Sequence, residues 1–134
     1  MHKTKIVTSF LKNSDSILLL KRSERVKSMK NLWAGISGII EGDEEPLTRA
    51  KIEIFEEVGI KESDLKLIKE GEIMLIESPQ YANHKWEVYP FLFSCNDKKI
   101  KLNWENSDSR WINLDELSNF STVPSLEKVL ASLF

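Results

Sequence analysis

The segment Pro46–Gly59, PLTRAKIEIFEEVG, constrains the fold more than any other stretch of the chain. Pro46 suits the first turn of a helix, where its missing N–H is not needed, and Gly59 suits the left-handed residue that ends one. Between them, Leu47, Ala50, Ile54 and Val58 recur at helical spacing and should face a core. The residues before this helix have another character. Trp33 to Ile40 is β-like and punctuated by Gly35 and Gly38, which permit tight backbone turns.

Further strands are expected on both sides. Ile6 to Leu11 and Ser16 to Leu20 flank the turn-prone Asn13-Ser14-Asp15, and a loop then runs through Lys30-Asn31. Gly71 to Ile76 and Trp86 to Cys95 read as strands joined by the loop Ser78 to His84. Ile100 to Leu102 and Arg110 to Ile112 could add two short ones. A last helix is expected near Pro124, with Leu126, Val129, Leu130 and Leu133 on one face. Several strands with helices early and late indicate a mixed α/β domain. At 134 residues the chain fits one domain, spanning 1–134. Its net charge of −2 gives no bulk attraction to nucleic acid or to an anionic membrane, though a local basic patch stays open. The single Cys95 has no internal disulfide partner and sits in an apolar run, as a buried strand thiol would. Neither a signal peptide nor a membrane span is visible, so a cytoplasmic location is expected.

Chemistry is concentrated on the central helix. At 100° per residue, Glu53, Glu56 and Glu57 fall on one side, which reads as opposite to the apolar stripe. Like charges at these spacings each cost about 0.2–0.5 kcal/mol in an isolated helix. Two readings fit: a solvated acidic face, or a set of hard oxygen ligands that a divalent cation would draw together. Magnesium keeps several waters and is completed by substrate phosphates, so the second reading points to phosphorus chemistry.

Gly38, Glu44, Glu53, Ile54, Glu56, Glu57, Gly59 and Ile60 together resemble the Nudix box, G-x5-E-x7-R-E-U-x-E-E-x-G-U, where U is a bulky aliphatic residue. The resemblance extends more weakly over most of the chain, through Ile17 to Arg22, Leu32 to Gly38, Trp86 to Phe93, Trp104-Glu105 and Arg110 to Ile112. It is nearest to small archaeal and bacterial Nudix pyrophosphatases. It implies an α/β/α sandwich around a mixed β-sheet, and hydrolysis of a nucleoside diphosphate linked to another group, with Mg2+ or Mn2+ as cofactor. One letter departs from the box. Ile52 stands where the family has Arg, about 40° around the helix from Glu56. Arg49, four residues before Glu53, could partly replace the lost cation.

By the same resemblance Glu56 and Glu57 are the principal metal ligands, with the Ser37 carbonyl as a further one. Glu53 is a ligand or the group that orients and deprotonates water. Glu44 and Arg49 would stand behind the ligands, although Glu44 equally suits a helix N-terminus through the dipole alone. The family does not fix its base in the box. Glu105 and Glu87 are the candidates here, with Glu105, in a polar loop, preferred. Arg22 and Arg25 could hold phosphates through guanidinium forks. Trp33, Tyr81 and Trp86 could stack a base, but aromatic strand residues more often belong to a core. His84 reads as an exposed loop residue. The partner expected is a small nucleotide or other diphosphate, without nucleic acid or membrane, and a homodimer is open. Ile52 also keeps in view a Nudix-fold domain that binds nucleotides without turning them over. The box alone leaves room for a non-nucleotide diphosphate.

Overall fold

The computed structural model describes residues 2–77 and 84–134. Its elements are β1 (His2–Asn13), β2 (Ser16–Arg22), β3 (Trp33–Ala34), β4 (Ile36–Ile39), α1 (Pro46–Val58), β5 (Leu65–Glu70), β6 (Met74–Glu77), β7 (His84–Cys95), β8 (Asn106–Ile112) and α2 (Leu126–Ala131). Short 3-10 turns cover Glu62–Asp64 and Leu114–Asn119.

β1 organises the sheet. Along one edge it runs parallel to β7 from His2↔His84 to Lys12↔Ser94. Its other edge is shared. Only Lys12 and Asn13 pair with β2, while Ile6 to Ser9 pair with β4. β2 turns the corresponding edge to β3 at Leu20 and Lys21, and its far edge to β8. The β1–β2 hairpin therefore splays open beyond its turn, and residues 33–39 fill the wedge. Strand β4, which leads into α1, is thereby fixed in the middle of a mixed sheet. Side-chain alternation sends Val7, Leu11, Leu18, Leu20, Phe91 and Phe93 to the face covered by α1, with Ala50, Ile54 and Val58. It sends Phe10, Ile17, Leu19 and Leu92 to the opposite face, with Leu126, Val129, Leu130 and Leu133 of the C-terminal segment. The result is the expected α/β/α sandwich, and Cys95 lies buried in it as a free thiol.

Several local readings need correction. β5 was not expected, because its LKLIKE sequence is almost wholly exposed and carries a bulge between Leu67 and Lys69. Only Leu65 of this strand packs on the core, so the pairing with β7 leaves little hydrophobic alternation to read. The expected strand from Gly71 starts only at Met74. Ile100 to Leu102 form no strand; the Lys101 N–H bonds the Val58 carbonyl at the end of α1, and Ile100 and Leu102 pack on the α1-side core. Arg110 to Ile112 are the end of a longer strand that begins at Asn106. His84 opens β7, half-buried, with its Nε2 2.9 Å from the Thr4 hydroxyl. The loop expected at 78–83, including Tyr81, lies outside the described residues. No helix among those residues is long and apolar enough to cross a membrane.

Gly59 ends α1 at φ +76°, donating its N–H to the Phe55 carbonyl. A Cβ there would also sit 3.2 Å from the Lys101 Cβ. Left-handed backbone costs a non-glycine residue about 1–2 kcal/mol. Gly59→Ala should therefore lose about that much stability in urea titration, without a change in slope. An unchanged midpoint would mean that the helix end relaxes freely.

Candidate active site

The site forms where the β4 wedge passes into α1. Gly38 of β4 faces Glu53 so closely that a Cβ would overlap the Glu53 side chain. Absence of a side chain, rather than a tight turn, is what this glycine supplies, and its φ is not positive. Between strand and helix, Glu44 accepts the Glu41 N–H at 2.8 Å and is gripped by both Nε and Nη2 of Arg49. Arg49 Nη1 reaches on to Glu53 Oε2 at 3.3 Å. One guanidinium thus ties the loop carboxylate to the helix carboxylate, while Ile52 lies 37% exposed.

The three helix glutamates do not share one environment. Glu53 and Glu57 are buried, at 9% and 4% exposure, and Glu56 is exposed. The reading that set all three opposite the apolar stripe is corrected for two of them. Glu57 follows the buried Ala50 by seven residues, which leaves it only about 20° away around the helix. A solvated acidic face is ruled out for these two groups by their burial.

Burial dominates their electrostatics. It pushes the Glu53 carboxyl up to about 7, helped by the Glu56 charge and opposed by the Arg49 hydrogen bond. It raises Glu57 well above the ordinary range, with Glu105 next in importance and the Asn106 hydrogen bond opposing. Glu44 moves the other way, lowered chiefly by its bond to Arg49. Two buried acids with elevated proton affinity, side by side, are a functional arrangement more often than a structural one.

Glu105 reaches this cluster from the other end of the sheet. Its segment is latched to the end of β2. The Ser23 N–H donates to the Glu105 carbonyl at 2.8 Å and the Ser23 hydroxyl to the Trp104 carbonyl at 2.8 Å. The next residue, Asn106, donates Nδ2 to Glu57 Oε1 at 3.0 Å. Neither Asn106 nor Ser23 was singled out from the sequence, since nothing local marks a polar residue that finds its partner 49 or 81 positions away. Glu87 is elsewhere. It binds Lys3 at 3.1 Å and the Tyr89 hydroxyl at 2.7 Å, and those two bonds lower its pKa, that of Tyr89 most. Arg22 lies near the cluster, with Nε and Nη2 donating to the Ser28 carbonyl. Arg25 instead sits over the Trp104 ring at 5.8 Å and does not line the cavity. Trp33 packs edge-on against Phe120 at 5.2 Å, as a core residue.

A cavity of about 480 Å³ opens here. Its polar wall includes Arg22, Ser37, Arg49, Glu53 and Glu105, and its apolar wall runs past Ile6, Trp86, Val88 and Leu126. Among the described residues, no three acidic, imidazole or thiol groups already converge as a closed metal cage. Magnesium does not require one, since it takes one or two carboxylates and fills the rest with water and phosphate. The donor chemistry fits such an ion. All the candidates are hard oxygens, and Glu57 Oε2 is buried with no hydrogen-bond partner. A buried carboxylate oxygen left bare is costly unless a cation answers it.

Comparison with known proteins agrees with this architecture. The family model described as the NUDIX domain matches residues 2–133. An RNA pyrophosphohydrolase of Pelagibacter ubique is 28% identical, over 81% of this chain and 80% of its own length. Among solved structures, the MutT protein of Methanosarcina mazei Go1 superposes with a TM-score of 0.75 at 21% identity, covering 97% of this chain and 94% of its own. A C. elegans Ap4A hydrolase binary complex gives 0.74 at 18%, covering 98% and 94%. At these identities the two structures speak for the fold.

The raised carboxyls set a pH dependence for the metal-free protein. Their folded pKa values exceed the ordinary 4.5, so the folded state holds more protons than the unfolded chain above that pH. The stability they contribute is complete below pH 4.5; the Glu53 share disappears as pH rises through about 7, and the Glu57 share as pH rises through its own raised pKa. With chelator present, the urea midpoint should fall between about pH 5 and 8. Glu57→Gln should be the more stable protein at the upper end. A flat profile, or a rise over this interval, would contradict the burial of ionisable carboxyls.

Proposed function

The chain belongs to the Nudix hydrolase family, and from that premise we propose a magnesium-dependent pyrophosphohydrolase that cuts the diphosphate linkage of a nucleoside diphosphate joined to a second group. The observation that carries this reading is the buried Glu57 carboxylate, with one bare oxygen, next to Glu53, which itself lines the cavity. Glu56 and Glu57 would hold the ion, with Glu53 and the Ser37 carbonyl at hand. When bound, such an ion neutralises charge on the bridging and leaving oxygens.

The remaining roles fall to the chain's own groups. Arg49 keeps Glu53 oriented, and Glu44 keeps Arg49 in place. This supports turnover rather than binding alone, because a cation stands beside the acidic cluster even with Ile52 in the box. Glu105 lines the cavity and is our assignment for the base that takes the proton of the attacking water. Glu87 is a poor base, since its lysines and Tyr89 stabilise the ionised form. Arg22 has donors left after its two bonds to Ser28 and can fork onto a phosphate. The apolar wall with Trp86 suits a base or another flat apolar group, and the volume suits a nucleotide. Because that wall is largely hydrocarbon, a prenyl diphosphate is the second reading.

The relatives are named for RNA and for Ap4A, so the decisive screen includes both. It should span 5′-triphosphorylated RNA, nucleoside triphosphates, Ap4A, ADP-ribose and prenyl diphosphates, each with Mg2+, Mn2+ or chelator. Metal-dependent cleavage of at least one nucleotide is expected. Turnover of prenyl diphosphates alone would replace the substrate class, and no turnover at all would favour a binding domain. On the best substrate, Glu105→Gln should lower kcat by about 10²–10⁴-fold with KM little changed. A full-rate Glu105→Gln enzyme would pass the role of base to Glu53.

A further inference from the structure

β8 pairs with β2 in regular alternation from Ile112↔Ile17 to Asp108↔Lys21, and then the register slips. Arg22 faces Asn106, leaving Ser107 as an extra residue. Ile112 packs on the α2 side of the sheet. Counting back from it by twos, strict alternation would send Asn106 to that same side. The extra residue reverses the order, as a bulge does when it re-aims a side chain. Asn106 turns instead toward α1, where both it and Glu57 are buried and Nδ2 meets Glu57 Oε1 at 3.0 Å.

The choice of an amide matters. A guanidinium at this position would fork onto both carboxylate oxygens and cancel the charge. Asparagine lends a single N–H to a single oxygen and carries no charge of its own. It fixes the carboxylate plane and leaves Oε2 bare. We propose that Asn106 is a positioning residue, set by the β8 bulge, that clamps one oxygen of Glu57 so that the other is presented to a divalent cation. The inference rests on the reading of Glu57 as a metal ligand. Asn106 touches neither substrate nor ion in this scheme and acts through Glu57.

The test is a double-mutant cycle on metal binding without substrate. Mn2+ affinity is measured by electron paramagnetic resonance for the wild type, Asn106→Leu, Glu57→Gln and the double variant. Leucine keeps the branched, four-heavy-atom outline of asparagine, is bulkier, and has no donor. Melting curves in chelator verify folding, and Asn106→Ala takes its place if Asn106→Leu does not fold. Asn106→Leu should weaken Mn2+ binding by about 10- to 100-fold, the usual effect of losing a partner behind a ligand. The double variant should bind no more weakly than Glu57→Gln alone. A merely structural Asn106 would lower the melting temperature in both backgrounds and leave Mn2+ affinity unchanged, and that result overturns the proposal. So does a double variant whose loss is the product of the two single losses. If Glu57→Gln itself binds Mn2+ like the wild type, the ligand reading fails and the clamp fails with it.

Discussion

Glu57 presents a carboxylate to the interior of the sandwich with one amide as its hydrogen-bonding partner. Burying an ionised group uncompensated is so unfavourable that the surroundings must answer it, by protonation or by opposite charge. Much of the local architecture follows from that need. The β8 bulge turns Asn106 to meet it, Arg22 places a positive field nearby, and Glu53 beside it is tied by Arg49 to Glu44. Gly38 forgoes a side chain so that Glu53 can lie against β4. In the metal-free protein the raised carboxyls take up protons. In the proposed metal-bound form the same oxygens would become ligands, and metal would have to displace those protons.

The helix that carries these groups was legible in the sequence because Pro46, Gly59 and the apolar stripe all specify the same element. The box residues then identified the family, and β1, β2, β7 and the final helix followed from hydrophobic runs. β5 was not legible, because an exposed edge strand has no core face to impose a period. Nor was the wedge of β3 and β4 between β1 and β2, which is a matter of long-range pairing. Within the site, spacing on the helix was informative but was read too coarsely. Glu53 and Glu57 flank the apolar stripe rather than oppose it, and a few tens of degrees separate a solvated acid from a buried one. Asn106 was invisible because a one-residue bulge, which no local pattern announces, decides which face it serves.

Ile52 departs from the family pattern, and the structure places another cation near the carboxylate that the box arginine would have flanked. The box cation is gone from the position next to Glu53, and Arg49, one turn earlier on the helix, holds Glu53 from there. An arginine four residues ahead of a glutamate is the weaker order on an isolated helix. Here Glu44 supplies the missing constraint by pinning the guanidinium from the loop side. Three elements thus converge on one carboxylate: the strand through Gly38, the loop through Glu44 and the helix through Arg49.

The central claim is that buried helix carboxylates are held for a divalent cation. Its most direct measurement is a Mn2+ titration of the isotopically labelled protein followed by NMR of the glutamate carboxyl carbons. Paramagnetic broadening should erase the signals of Glu53, Glu56 and Glu57 first, at less than one equivalent of ion, and leave Glu62, Glu87 and Glu116 sharp. Broadening that begins at those outlying glutamates, or that spreads evenly over all carboxylates, would contradict the account.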